Sequence, residues 1–439
     1  MQRNGILWQL SPIFKPLCKQ FYSFFGMVWI MSMHTFPFLM TIIKNAILSF
    51  PRSISDATDV YCKGKTKGLF RVYGPILASN FSIGAFLVFV KALSEYGTPA
   101  TFGPKIGVTV FTTSLTNYMQ VAPIDFSKAS AMASALMSIC VLIWALQMVI
   151  TSKKSYALSS DGKKEIKKNH LITVLSVIFI AVIFFFSTFI PLYTIIISSF
   201  KKITYKPAIG DNFTLENYKL GFLTDEGFGT GFKAISNSLL ISLLSCTLIL
   251  LMGITFSIYT RKHKKMKIVK GIEFFDNLPQ LIPNIVTGIG FIMFYSLIYK
   301  VLPIYRTLWI LVIAYSIIFL PNMVNYIKNS LMQMPESLIE AGKVYTSSDF
   351  KINTRIILPQ ALKGAFYGFV MTFIITLREL VTAKLLQPPS FYTISLFIDF
   401  QFNQGNQQAA MALAAVSVFL TIAILLPLEY LMTKRKKTK

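Results

Sequence analysis

The stretch Pro335-Glu-Ser-Leu-Ile-Glu340-Ala-Gly-Lys-Val-Tyr-Thr-Ser-Ser-Asp-Phe-Lys-Ile-Asn-Thr-Arg355-Ile-Ile-Leu-Pro359 is a polar segment between two apolar runs, and it has an echo. Shifting the sequence against itself by 284 residues sets Pro51 on Pro335, Ser53 on Ser337, Ala57 on Ala341, Val60-Tyr61 on Val344-Tyr345 and Pro75 on Pro359. The match extends both ways, from Ser32 on Ser316 to Thr98 on Thr382, and includes Ile43-Lys44-Asn45 on Ile327-Lys328-Asn329, Lys67 on Lys351, Arg71 on Arg355 and Glu95 on Glu379. Over residues 32–98 there are 18 identities without a gap, where chance in so apolar a composition gives about 5. Matched Pro, Lys, Asn, Arg and Glu cannot come from shared hydrophobicity. The chain holds two copies of one unit.

The apolar runs decide what kind of unit it is. Of 439 residues, 54% are hydrophobic and 14% charged, and mean hydropathy is +0.59. Soluble domains carry about 25% charge, so an ordinary soluble enzyme is excluded. A disordered chain, poor in Phe, Ile and Leu, is excluded too. A bilayer-crossing helix needs about 20 mostly apolar residues. Nine segments qualify, roughly 27–48, 76–96, 126–150, 171–197, 235–259, 279–300, 306–327, 366–386 and 407–431. The expected fold is an all-α integral membrane protein of two parallel repeats.

Lys and Arg total 43 against 18 Asp and Glu. The segments 49–75, 151–170, 260–270, 328–365 and 432–439 carry 27 basic residues, and the intervening ones carry 11. The positive-inside rule makes the first set cytoplasmic. It explains the basic excess without nucleic acid and puts Lys434-Arg435-Lys436-Lys437 in the cytoplasm.

The copies are unequal. The second has three spans ahead of the one at 306–327, while residue 1 corresponds to residue 285. The expected organisation is a first repeat at 1–150 lacking its first three helices, a basic cytoplasmic linker at 151–170, and a complete six-helix repeat at 171–439. Three further spans encoded upstream, or on a separate chain that assembles with this one, would restore six plus six. The plainer reading is a nine-span protein.

The quoted loop resembles the EAA loop of bacterial ABC importer permeases, E-A-A-x3-G-x9-I-x-L-P. Glu340, Ala341, Ile356, Leu358 and Pro359 match, with Gly342 for the second Ala and Thr346 for the Gly. In the first copy Asp56, Ala57, Val72 and Pro75 match, while Thr58, Cys62 and Gly74 depart. The resemblance implies that Pro51, Asp56, Ala57 and Pro75, with Pro335, Glu340, Ala341, Gly342, Leu358 and Pro359, form two loops that couple the spans to separate ABC ATPase subunits. Small residues would allow close approach, the acidic residue would suit a helix start, and the closing Pro would break the chain before the next span. Further motifs resemble ferric-iron permeases: Leu278-Pro-Gln-Leu-Ile-Pro283, Phe319-Leu-Pro321, Leu377-Arg-Glu-Leu380, Leu385-Leu-Gln-Pro388 and Tyr96-Gly-Thr-Pro-Ala100. Polyamine, thiamine, sulfate and phosphonate permeases share the scaffold. The resemblance implies a type I ABC importer permease in the bacterial inner membrane, fed by an extracytoplasmic binding protein.

ATP is expected on the partner ATPase. Gly64-Lys65-Thr66 looks like a P-loop ending, but Asp59 stands where a Walker A motif needs Gly. Four dispersed cysteines (Cys18, Cys62, Cys140, Cys246) and three dispersed histidines suggest neither a disulfide framework nor a metal site. Glu95 and Glu379, paired by the repeat near the outer ends of spans, are the candidate pathway residues, since ionisable groups in spans are functional suspects. The alternative is a structural role beside Lys91 and Arg378. A secondary transporter would show inverted repeats and need no such loops. A membrane enzyme would need a clustered set of catalytic side chains.

Overall fold

The computed structural model describes residues 21–48, 52–62, 65–153, 170–203, 206, 210–225, 229–264, 266–301, 303–346 and 348–437. Pro51, Cys18, Gly64 and most of the 151–170 linker lie outside them. The chain divides into two compact units, Met1–Tyr193 with Leu281–Val286, and Thr194–Gln280 with Thr287–Lys439.

The first unit contains α1 (Phe24–Leu48), α2 (Arg52–Tyr61), α3 (Lys65–Gly68), a π turn (Leu69–Tyr73), α4 (Gly74–Ser94), α5 (Gly97–Ile106), α6 (Phe111–Gln120), α7 (Phe126–Lys153) and α8 (His170–Phe184). A second π turn, Phe185–Phe189, leads into α9 (Ile190–Ser199). There follow α10 (Glu216–Leu223), α11 (Gly231–Lys262), α12 (Lys267–Leu281), α13 (Asn284–Ile298), α14 (Leu308–Met332), α15 (Glu336–Tyr345) and α16 (Asp349–Ile352). A third π turn, Asn353–Ile357, precedes α17 (Leu358–Leu377), α18 (Val381–Leu386), α19 (Ile394–Asn403) and α20 (Gln407–Lys437). Among the described residues seven helices are long and apolar enough to cross a membrane, or nine if two bent pairs each count as one span. These follow the order of the nine apolar runs.

The repeat is structural down to single turns. The bounds of α1, α2, α3 and the first π turn reappear in α14, α15, α16 and the third π turn at the same offset of 284 residues. The π turns have one cause. Pro75 and Pro359 occupy the second position of α4 and α17, and a proline has no N–H for the usual bond one turn back. The helix widens instead, and the Leu358 N–H donates to the Asn353 carbonyl, five residues behind. The prolines therefore do not break the chain as the sequence suggested. Residues Asp349–Leu377 run as one helix long enough to span, starting well before residue 366.

Glycines set the close crossings. A Cβ on Gly84 of α4 would meet Leu39 Cδ1 of α1 at 2.8 Å, and one on Gly368 of α17 would meet Met323 Sδ of α14 at 2.7 Å. Leu39 and Met323 are repeat mates, so both units cross at one register. A Cβ on Gly364 would likewise meet the Tyr326 carbonyl at 2.6 Å, so the Gly364/Gly368 pair is a packing motif. In the second unit α14 packs against both α11 and α17, which buries Tyr315, Met323 and Ile327 almost completely. Hydroxyls inside these helices bond back to the preceding turn, as Ser316 Oγ does to the Val312 carbonyl (2.6 Å), which satisfies them where water is scarce.

Candidate functional site

Each quoted loop folds into a short helix followed by a tight turn back into a span. In the second unit Pro335 caps α15 and Glu336 lies in its first turn, facing the helix dipole. Glu340 and Asp56 are each the fifth residue of their helix. The dipole argument therefore belongs to Glu336, and the sequence reading of Glu340 and Asp56 is corrected. Both are exposed side chains at mid-helix, as are Ala57 and Ala341.

Of the small residues, Gly342 makes the close approach. A Cβ there would meet Ile356 Cδ1 at 2.6 Å, with Ile352 Cγ1 behind it. The first loop solves the same contact the other way round. Thr58 replaces Gly342, and Gly68 stands where the second loop has Ile352; a Cβ on Gly68 would meet Thr58 Cγ2 at 2.8 Å. Volume has moved from one side of the contact to the other, which cores tolerate best. Gly342→Thr alone is expected to destabilise the second loop by about 2 kcal/mol. Adding Ile352→Gly should recover part of that loss, as thermal unfolding of the purified double variant would show.

Basic residues at the end of α11 hold the second loop in place. Arg261 donates to the Leu331 carbonyl at 2.6 Å and the Met334 carbonyl at 3.5 Å. Lys262 pairs with Asp349 at 2.8 Å and Lys264 with Glu336. Exposed pairs contribute little singly, but these tie the start of α15 and the start of α16 to one span.

The exposed surface of the two loop helices carries a matched apolar pair. Val60 and Tyr61 are 75% and 85% exposed, and their mates Val344 and Tyr345 are 84% and 90% exposed; Phe350 is exposed as well. Residues four apart share a helix face, so Ala57 lies in a row with Tyr61, and Ala341 with Tyr345. Large apolar side chains grouped outside the apolar spans mark a binding surface. The sequence reading fixed on the acidic and small residues and passed over this pair, although the identity Val60-Tyr61/Val344-Tyr345 was its signal.

Glu95 and Glu379 have a common geometry. Each lies in a break between two helices, α4 to α5 and α17 to α18, so the run 366–386 is not one helix. Glu95 Oε1 accepts from the Thr98 N–H (3.2 Å) and hydroxyl (3.3 Å). Glu379 Oε1 accepts from the Thr382 N–H (3.1 Å) and hydroxyl (3.0 Å). A carboxylate binding the first turn of the next helix is a cap. His34 Nδ1 lies 3.9 Å from Glu95 Oε2, and Lys91 sits over the Phe38 ring. Glu379→Ala is expected to lower stability by about 1 kcal/mol, while Glu379→Gln keeps an acceptor and most of that stability; thermal unfolding of both variants checks it.

Among the described residues no three His, Cys, Asp or Glu side chains converge as a metal site would require. Cys140 and Cys246 are buried and Cys62 is half-buried. The Leu385-Leu386-Gln387-Pro388 motif lines a cleft of about 240 Å3 with Tyr305, Arg306 and Tyr392.

Residues 253–437 match the family described as binding-protein-dependent transport system inner membrane component. The chain is 22% identical over 415 residues to an Fe(3+)-transport system permease protein, FbpB 2, of Haemophilus influenzae, covering 90% of this chain and 76% of that protein. It is 22% identical to the ferric transport system permease protein FbpB of Actinobacillus pleuropneumoniae, over 93% of this chain but 59% of that protein. It is 25% identical over 256 residues to the spermidine/putrescine permease protein PotC of Escherichia coli K12, over 57% of this chain and 90% of that protein. The chain thus resembles an all-α ABC importer permease, with ferric permeases among its relatives.

Proposed function

We propose that this chain, similar over residues 253–437 to inner-membrane components of binding-protein-dependent transport systems, is the permease of an ATP-driven importer for ferric iron. An extracytoplasmic binding protein delivers the iron, and ATP is hydrolysed on separate ATPase subunits that seat on α2 and α15. The chain crosses the bacterial inner membrane with its basic loops and C-terminus in the cytoplasm. The organisation read from the sequence is kept as part of the proposal: a first repeat at 1–150, a linker at 151–170 and a second repeat at 171–439. Glu95 and Glu379 then act on the pathway through the helix breaks they cap.

One observation carries the reading. Two loop helices at matched positions of the repeat, each following a long apolar helix, present the same exposed Val-Tyr pair beside an exposed Ala. An ATPase that works outside the bilayer has to grip the spans through such elements, and two copies suit a pair of ATPase subunits. The iron assignment is supported by the ferric permeases among the relatives. Their polyamine counterparts make polyamine the alternative cargo.

The test is co-purification. The ATPase encoded beside this chain should be retained by the wild type and lost from Tyr345→Asp, with the membrane level of the chain unchanged. Full retention by that variant would remove α15 as the seat.

A further inference from the structure

Asp276 lies on α12 and is 7% exposed, and neither Oδ1 nor Oδ2 has a hydrogen-bond partner among the described residues. Glu273 stands three residues earlier, on the same face of the helix and about 4.5 Å along its axis. Lys328 of α14 bonds Glu273 Oε1 at 2.9 Å. Both groups act on Asp276, Lys328 attracting a negative charge there and Glu273 opposing it. From the third side α11 adds the Phe256 ring, whose centroid is 5.1 Å from Lys328 Nζ. Its Arg261 is turned to the Leu331 and Met334 carbonyls instead.

Two carboxyl groups thus compete for one ammonium, and Glu273 holds it. A carboxylate buried without a partner is so costly to keep charged that it takes up a proton instead. The path for that proton is short, because the Glu273 side chain is 41% exposed and opens the group to water.

We infer that Asp276 is a proton-binding site, occupied while Lys328 is bonded to Glu273 and vacated when Lys328 passes to Asp276. On that exchange the Asp276 carboxyl releases its proton to water and the carboxylate takes the ammonium. The Glu273 carboxylate is left to solvent, which its exposure allows. Lys328 moves about 4.5 Å along α12, so the proton is tied to a shift of α14 against α12. α14 runs on into α15, so the same proton is tied to the position of the loop helix. The site does not depend on which cargo the chain carries.

The test is infrared spectroscopy of the full chain in lipid nanodiscs at about pH 6, about two units above an ordinary Asp carboxyl. The wild type is expected to show a carboxylic-acid C=O band that Asp276→Asn lacks. An isotope label on the Asp carboxyl carbons should shift that band, which assigns it to Asp even if Asp276→Asn fails to fold. Glu273→Gln leaves Asp276 as the carboxylate for Lys328, so the band should be lost although Asp276 is untouched. Adding Lys328→Met to Glu273→Gln should bring it back. A wild-type spectrum with no label-sensitive acid band, or one equal to that of Asp276→Asn, would mean that Asp276 is ionised and would overturn the inference. A band that persists in Glu273→Gln, or stays lost in the double variant, would overturn the exchange of Lys328.

Discussion

Ala341→Arg is expected to abolish ATP-driven uptake and strip the ATPase from the membrane complex, while the chain still inserts and folds. Ala341 is exposed and shares a helix face with Tyr345, while the tight packing inside the loop is at Gly342. An arginine there costs the isolated chain little. In the complex it places a bulky, unpaired charge at the centre of an apolar contact. Interface centres of that kind lose 2 kcal/mol or more, so binding should weaken about thirtyfold or beyond. ATPase retention and uptake measured on the same membranes check this. Both remaining normal would mean that α15 is not the seat.

Gly364→Leu should have the opposite signature, a chain that fails before any partner is involved. A Cβ at Gly364 already meets the Tyr326 carbonyl and Ser330 Cβ at 2.6 Å and Ile327 Cα at 2.9 Å. Two of these atoms are backbone, so no side-chain rotation relieves the clash. The same crossing is tied by Ser330 Oγ to the Gln360 carbonyl at 2.9 Å and by Gln360 Nε2 to the Ser330 carbonyl at 3.1 Å. Forcing α14 and α17 apart should cost about 3 kcal/mol or more. Gly271→Ala is the matched control, because a Cβ there meets nothing within 4 Å. A melting temperature for Gly364→Leu as high as that of Gly271→Ala would show that the crossing is not tight.

The fold was legible where residue types repeat and illegible where hydropathy is silent. Pro51, Ala57, Lys67, Arg71 and Pro75 return at one offset, and the helix bounds return with them. The breaks at Glu95 and Glu379 were hidden because apolar residues continue across them, as in the run 366–386. Only the contact of each carboxylate with the Thr three residues on shows a helix ending and another starting. The π turns were hidden for a related reason: a proline near a helix start reads as a break, and the wider turn that accommodates it leaves no mark in composition. In the first loop Thr58 reads as a departure from the pattern, with no sign that Gly68 answers it. It is a compensated contact, visible only when both sides of it are seen.

The proposed seat on α15 would give the basic residues around the end of α11 a purpose. Arg261, Lys262 and Lys264 join the loop to a long span, a route by which movement of α15 would reach α11. α14 packs on α11 and α17 together, so movement of the loop passes into the three-helix core of the second unit. Glycine crossings at Gly253, Gly364 and Gly368 keep that core close enough to move as a body.

Under the proposed function this chain passes ferric iron across the membrane, driven by ATP hydrolysis on a partner. The most direct measurement is uptake of radiolabelled ferric iron by cells lacking the chromosomal copy, with the wild type or Ala341→Arg supplied in trans and labelled putrescine as the competing cargo. The account predicts vanadate-sensitive iron uptake with the wild type, none with Ala341→Arg, and no change in putrescine uptake with either. Putrescine uptake that follows the wild-type chain while iron uptake does not, or iron uptake that persists with Ala341→Arg, would contradict it.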